Sequence, residues 1–349
     1  MKFWFDVLTP KQVNLFKPIV DELRKRKHEV LCTTRKYREV QELSKIKGLD
    51  LFIVGRHGSD SYEKLKASTE RIQKLIGVIE KFNPDVLVSL ASPEASRIAF
   101  GLRIRHIGFN DSPHAEATCR LSVPFLNKLL CPWIIPFNKF IKYGITKHQI
   151  IHYRALDPAL WIKRNKKSLY KHEDIGLDPT KKTITFRFQE SKAAYLYNTK
   201  NLSNLLLKSL ILNFKDTNIV VLCRYSDQLQ AVKDNFNNSA IIVDKVIDGI
   251  SVLRLSDVFI GSGGTMNCEA SLLGIPNMSY IMHNILVNKF LFSKGLSYKC
   301  RDEGEMIKLT RKMLYDEKMV KIIKSKSNGL LSQMEDPKKK IIGLLESCK

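Results

Sequence analysis

The stretch Asp257–Tyr280, DVFIGSGGTMNCEASLLGIPNMSY, decides the fold. Val258–Ile260 is a short apolar run that stops at a cluster of small residues, Gly261-Ser262-Gly263-Gly264-Thr265. Met266–Leu273 then reads as a helix, and Gly274-Ile275-Pro276 leads into a second apolar run, Asn277–Ser279. Strand, glycine turn, helix and strand make one βαβ unit, the element of parallel sheets with covered faces. Glycines at the turn allow positive φ and let a ligand approach the backbone. The free N–H groups of the helix start, with the helix dipole, suit a phosphate or diphosphate. Glu269 stands one helical turn after Thr265, on the same side. A carboxylate there can accept hydrogen bonds from the vicinal hydroxyls of a ribose. The same residues equally describe a tight, packed strand–helix turn with Glu269 in solvent.

Two familiar alternatives fail. A P-loop needs Gly-Lys-Ser/Thr, and no lysine follows these glycines. The dinucleotide fingerprint GxGxxG has Met266 where its last glycine belongs, and no acid ends the next strand at the required distance.

Outward from this stretch, short apolar runs alternate with amphipathic segments. Phe3–Val7 reads as a strand, and Lys11–Lys25 as a helix with Val13, Phe16, Ile19, Val20 and Leu23 at helical spacing. Glu29–Thr33 and Leu49–Val54 read as strands and Ser61–Phe82 as a long helix. Val86–Leu90 is a strand running into a helix begun by Ser92 and Pro93, and Arg105–Phe109 is a further strand. In the second half Thr183–Phe188, Asn218–Leu222 and Ala240–Val243 read as strands among the helices Leu202–Phe214, Ser226–Phe236 and Gly249–Leu255. The expected class is α/β, with two Rossmann-like domains facing a central cleft at the carboxyl ends of their strands. The charged, weakly patterned run Ile162–Asp178 sets the division. Residues 1–163 form the first domain, 164–180 a linker and 181–349 the second domain, with the last helix packing back on the first.

The segment Leu121–Ile145 combines prolines, aromatics and lysines. It reads as a buried strand, Leu129–Ile135, plus a short helix. A membrane-leaning surface is the alternative, although Pro124, Pro132 and Pro136 break any single long helix.

Polar clusters fall where the strands should end. Gly55-Arg56-His57-Gly58, Ser92-Pro93-Glu94, Asn110-Asp111-Ser112-Pro113-His114-Ala115-Glu116 and Arg187-Phe188-Gln189-Glu190 share that edge of the inferred sheets. Their coincidence points to a site, while each residue alone also has a plain role. Glu94 and Glu116 would serve as first-turn acids stabilised by a helix dipole. His57 would cap a loop, and Arg187 would pair with a surface acid.

Composition narrows the partners. The 349 residues carry a formal charge of +23, which favours an anionic partner: nucleic acid, an anionic membrane surface or a phosphorylated metabolite. No nucleic-acid-binding motif is visible, so nucleic acid ranks low. The seven cysteines are scattered and show no CxxC or zinc-ligand spacing, which points to a reducing, cytoplasmic setting and no metal. No run of about 18 apolar residues is present to span a membrane.

The segments FDVLTPKQVNLFKPIVDEL (Phe5–Leu23), RHGSDSYEKL (Arg56–Leu65), SPEASRIAFGL (Ser92–Leu102), FNDSPHAEA (Phe109–Ala117) and GSGGTMNCEASLLGIP (Gly261–Pro276), in this order, resemble the archaeal and bacterial "domain of unknown function 354" family. The resemblance covers essentially the whole chain. That family is similar in architecture to GT-B glycosyltransferases and UDP-N-acetylglucosamine 2-epimerases. It implies a nucleotide-sugar held mainly by the second domain, with Ser262, Gly263, Gly264 and Thr265 on the diphosphate and Glu269 on the ribose. Two departures stand out. Where the family carries two histidines in its first loop, this chain has Gln12 and Asn14. Before His28, Lys27 replaces the glycine of an Arg-Gly-His turn.

The resulting expectation is a UDP-sugar-dependent glycosyltransferase that uses no metal and no cofactor beyond its nucleotide-sugar substrate. Arg187 and the helix start would stabilise the departing diphosphate. The base would come from the first domain, His114 or Asp111 first, then Glu94 or His57. A lipid-linked or other anionic acceptor, with peripheral contact at the inner membrane face, would explain both the charge and the Leu121–Ile145 segment. The alternatives are a UDP-sugar 2-epimerase or hydrolase working through Glu94, Asp111, Glu116 and Glu190, and a non-catalytic anion-binding protein.

Overall fold

A computed structural model describes residues 1–189, 202–237, 239–281 and 285–348. It divides into two units, one of Met1–Trp161 with Glu335–Lys349, the other of Ile162–Met334.

The first unit is a parallel sheet of β1 (Lys2–Asp6), β2 (Glu29–Lys36), β3 (Phe52–Arg56), β4 (Val86–Ser89), β5 (Arg105–Phe109), β6 (Lys128–Pro132) and β7 (Ile150–Tyr153). Their order is β3-β2-β1-β4-β5-β6-β7, so the chain reverses its direction of travel between β1 and β4. All the strands run parallel, which places every carboxyl end at one edge. Trp4 and Leu87 on one sheet face pack against Leu75 and Ile79 of the helix Ser61–Phe82 and Ile98 of the helix Pro93–Gly101. The terminal helix Lys338–Glu346 belongs to this unit. Glu346 accepts from Arg26 at 2.9 Å, and Lys338 reaches Glu22 at 2.8 Å.

The second unit holds β8 (Thr183–Arg187), β9 (Asn218–Leu222), β10 (Ile241–Val243), β11 (Val258–Gly261), β12 (Asn277–Ser279) and β13 (Tyr298–Lys299). The order β10-β9-β8-β11-β12-β13 puts the same reversal between β8 and β11. Alternation along the strands divides the core. Phe186, Val221 and Ile260 enter one apolar cluster, while Val220, Leu222 and Phe259 enter the other.

The structure departs from the sequence reading at several boundaries. β3 starts at Phe52, later than expected, because Leu49 is buried just after Gly48 ends the helix Arg38–Lys47 in a left-handed conformation. That helix was not expected. Half of its residues are charged, and it buries only Val40, Leu43 and Ser44. The run 164–180 contributes Ile175 and Leu177 to the core of the second unit, so these residues pack rather than tether. In Leu121–Ile145, β6 lies between β5 and β7 with Leu129, Leu130 and Cys131 fully buried, and it ends at Pro132. No helix among the described residues is long and apolar enough to cross a membrane.

Candidate functional site

In the second unit, β11 ends at Gly261 and the helix Thr265–Leu273 begins after two glycines with positive φ, Gly263 at +88° and Gly264 at +91°. The two do different jobs. A Cβ on Gly263 would lie 2.6 Å from Asn288 Nδ2 and 3.3 Å from Ser279 Oγ, so packing requires glycine there. A Cβ on Gly264 would meet nothing within 4 Å, so the turn is open to an approaching group at that residue. Gly264 is also the N-cap, with no side-chain cap and no acid in the first turn. The helix itself thus supplies no counter-charge to its positive end, a setting that suits an anion.

The turn is pinned from beneath by Asn267, which sequence reading passed over. Its Oδ1 accepts from the Gly263 N–H at 2.9 Å and its Nδ2 donates to the Met278 carbonyl at 2.9 Å. Asn277 extends this buried network to the carbonyls of Leu296 and Ile275. Arg187 ends β8, directly beside β11, and its guanidinium rests against Met266 Sδ at the start of the same helix. Glu269 is 3% exposed, which removes the reading of a solvated surface acid. Ser262, Gly264, Thr265 and Arg187 keep partial exposure, so the residues expected to take the nucleotide share one corner of the unit.

In the first unit, the β1/β4 reversal is occupied by a buried polar network. Asp6 accepts from Thr33 Oγ1 at 2.7 Å, from Ser92 Oγ at 2.6 Å and from both terminal nitrogens of Arg71, at 3.2 and 2.5 Å. Burial works to raise the Asp6 pKa, but the Arg71 charge and these hydrogen bonds outweigh it and hold the carboxyl below its ordinary value. Ser92 also caps the helix Pro93–Gly101 through the Ala95 N–H, fixing Glu94 in its first turn. Glu94 is only 6% exposed.

A second constellation lies at the ends of β5 and β7. Lys11 Nζ sits 2.5 Å from Asp111 and 2.6 Å from Asp157, and Tyr153 donates its hydroxyl to Asp157. One ammonium faces two carboxylates. Burial raises Asp157 despite Lys11, while at Asp111 the Lys11 charge outweighs burial and keeps the carboxyl ionised. Asp111 is therefore a neutralised anion rather than a free base. Asp157 and Tyr153 were missed because nothing in IHYRALDPA is periodic with the earlier clusters. His114 stands in the same loop, partly exposed.

The remaining candidates separate. His57 is exposed beyond the edge strand β3, its ring 5.4 Å from that of Tyr37, two strand spacings (roughly 10 Å) from β1. Arg56 is spent on Glu63 at 2.6 Å. Glu116 is an exposed acid paired with Arg120 of its own helix. Glu190 lies outside the described residues. Among the described residues no group of histidine, cysteine and acid side chains is arranged to hold a metal ion.

The architecture is that of known sugar-nucleotide enzymes. UDP-GlcNAc 2-epimerase from Neisseria meningitidis, bound to UDP-GlcNAc, superposes with a TM-score of 0.74 at 14% identity over 99% of this chain and 100% of its own. The Methanocaldococcus jannaschii UDP-GlcNAc 2-epimerase in complex with UDP-GlcNAc and UDP gives 0.71 at 15% identity, covering 90% and 93%. The spinosyn forosaminyltransferase SpnP gives 0.67 at 14% identity, covering 100% and 99%. The fold is thus shared by GT-B glycosyltransferases and UDP-GlcNAc 2-epimerases. In sequence, the uncharacterized protein MJ0665 of M. jannaschii is 28% identical over 310 residues, 87% of this chain and 89% of that protein. Residues 1–342 match the family described as Protein of unknown function (DUF354), and the chain belongs to it.

Proposed function

We propose that this protein is a UDP-sugar-dependent glycosyltransferase whose second unit holds the nucleotide. One observation carries the reading: the uncapped, glycine-opened start of the helix Thr265–Leu273 lies beside Arg187, with Glu269 buried one turn further on. The diphosphate takes the first-turn N–H groups with Ser262, Gly264 and Thr265, the expected Gly263 contact being ruled out because its N–H is already held by Asn267, and Glu269 receives the ribose hydroxyls. As the glycosidic bond breaks, negative charge grows on the departing diphosphate. Preorganised donors at that position are worth roughly 3–4 kcal/mol each, and Arg187 adds a full positive charge. In this reading these groups supply the cationic stabilisation that a metal supplies elsewhere. Within the first unit His114 is the candidate base, because Asp111 is already bound to Lys11.

An epimerase reading rests on a different observation, the acids Glu94 and Asp157 buried in the first unit and Asp111 partly buried beside Asp157. Such acids could move protons during elimination and re-addition of the nucleotide. Turnover of a UDP-sugar with no second substrate separates the two readings.

The first test is calorimetric titration with UDP. Wild type should bind, and Glu269→Gln should lose about tenfold or more in affinity. Absence of UDP binding to wild type would sink the nucleotide assignment. His114→Ala should cut turnover while UDP affinity holds; unchanged turnover removes His114 from the mechanism.

A further inference from the structure

Arg35 is a cation of the first unit that takes part in neither polar network described above. It sits near the carboxyl end of β2, where the pairing with β3 slips between Thr34 and Lys36. Bulges of this kind re-aim a side chain and recur beside binding sites. Thr33, two residues earlier on the same strand, donates to Asp6, and the charges of Glu94, Arg71 and Asp6 act on Arg35, which puts it near the polar network of the β1/β4 reversal. Asp6 and Arg71 satisfy one another there. Arg35 has one donor left over: its Nε is buried with no hydrogen-bond partner. Glu94 acts on it electrostatically and is itself fixed in the first turn of the helix that Ser92 caps. A guanidinium presents a fork of donors matched to an oxyanion, and a carboxylate accepts from hydroxyls. The edge of the sheet at a topological reversal is where open α/β units bind ligands.

We propose that Arg35 and Glu94 form a binding site in the first unit for a phosphorylated polyol, Arg35 taking the phosphate and Glu94 the hydroxyls. The formal charge of +23 favours arrival of such an anion. The chemistry fits both a soluble polyol phosphate and the glycerophosphate headgroup of a lipid. In the transferase reading this ligand is the acceptor, but the site is built from the first unit alone and stands or falls separately from the nucleotide site.

The test uses the full chain and two probes at fixed, high ionic strength, so that surface lysines are screened. Glycerol phosphate is titrated calorimetrically, with inorganic phosphate as the reference. Sedimentation with phosphatidylglycerol vesicles, against phosphatidylcholine, reports the lipid source. Arg35→Gln should lose about tenfold or more in whichever arm binds, and Arg35→Lys should recover only part, since an ammonium lacks the planar fork. Glu94→Gln should erase the preference for glycerol phosphate over inorganic phosphate. UDP titration of the Arg35 variants, expected to match wild type, checks that the fold is intact and keeps this result distinct from failure of the nucleotide site. Equal binding by wild type and Arg35→Gln in both arms, or no binding by wild type in either, overturns the proposal.

Discussion

Nζ of Lys11 lies 2.5 Å from the carboxylate of Asp111, a contact that joins the first helix of the chain to the loop after β5. Asp157 completes the group at 2.6 Å from the same nitrogen. Removing the cation leaves the buried Asp157 carboxyl facing the partly exposed Asp111 with no counter-charge, so Lys11→Met should destabilise the protein by about 3 kcal/mol. Lys11→Met with Asp157→Asn should recover part of that loss. Urea unfolding of the three proteins measures both effects, and an unshifted midpoint for Lys11→Met would show that the group contributes nothing net.

His106 gives the protein a pH dependence. Burial pushes its pKa from 6.5 down to about 3, its Nε2 is 2.8 Å from Ser89 Oγ, and its Nδ1 has no partner. Above pH 6.5 the ring is neutral whether folded or unfolded, and stability is unaffected. Below 6.5 the unfolded chain takes up a proton that the folded state refuses. Stability should therefore fall by up to about 1.4 kcal/mol per pH unit as pH drops toward 3. His106→Gln, which does not titrate, should flatten that slope in denaturation curves taken between pH 6.5 and 4.

Gly263 and Gly264 should respond differently to alanine. Both hold positive φ, which costs a residue with a Cβ about 1–3 kcal/mol. At Gly264 that strain is the whole effect, since the space is open. At Gly263 the new methyl also collides with Asn288 and Ser279, so Gly263→Ala should be the more destabilising of the two. Equal urea midpoints for the two variants would contradict this division of roles.

Lys27 offers a substitution in the opposite direction. It ends the helix Pro10–Lys25 at φ +62°, and the N–H groups of Lys27 and His28 close the end onto Arg24 and Leu23. A side chain in that conformation costs about 1–2 kcal/mol relative to glycine. Lys27→Gly should raise the melting temperature, and a lower one would show that the exposed lysine contributes more than its backbone costs.

The sequence by itself determined the βαβ rhythm and the turn at Gly261–Thr265. Both are local signals, set by apolar spacing along the chain and by the backbone freedom of glycine. It could not supply short or charged elements such as β7, β13 and the helix Arg38–Lys47, whose few apolar residues carry no readable period. Only the tertiary structure decided which polar residues meet. Asp6 and Arg71 are 65 positions apart, and Lys11 finds Asp157 from nearly the other end of the unit. The partners Thr33 and Ser92 of Asp6 follow from strand order, because β1 lies between β2 and β4 and draws their ends together at one edge. The same geometry turned Asp111 from a candidate base into an ion-paired anion, and Glu269 from a solvated acid into a buried one. A side chain's charge is written in the sequence, but the burial and partners that set its chemistry exist only once the sheet has formed.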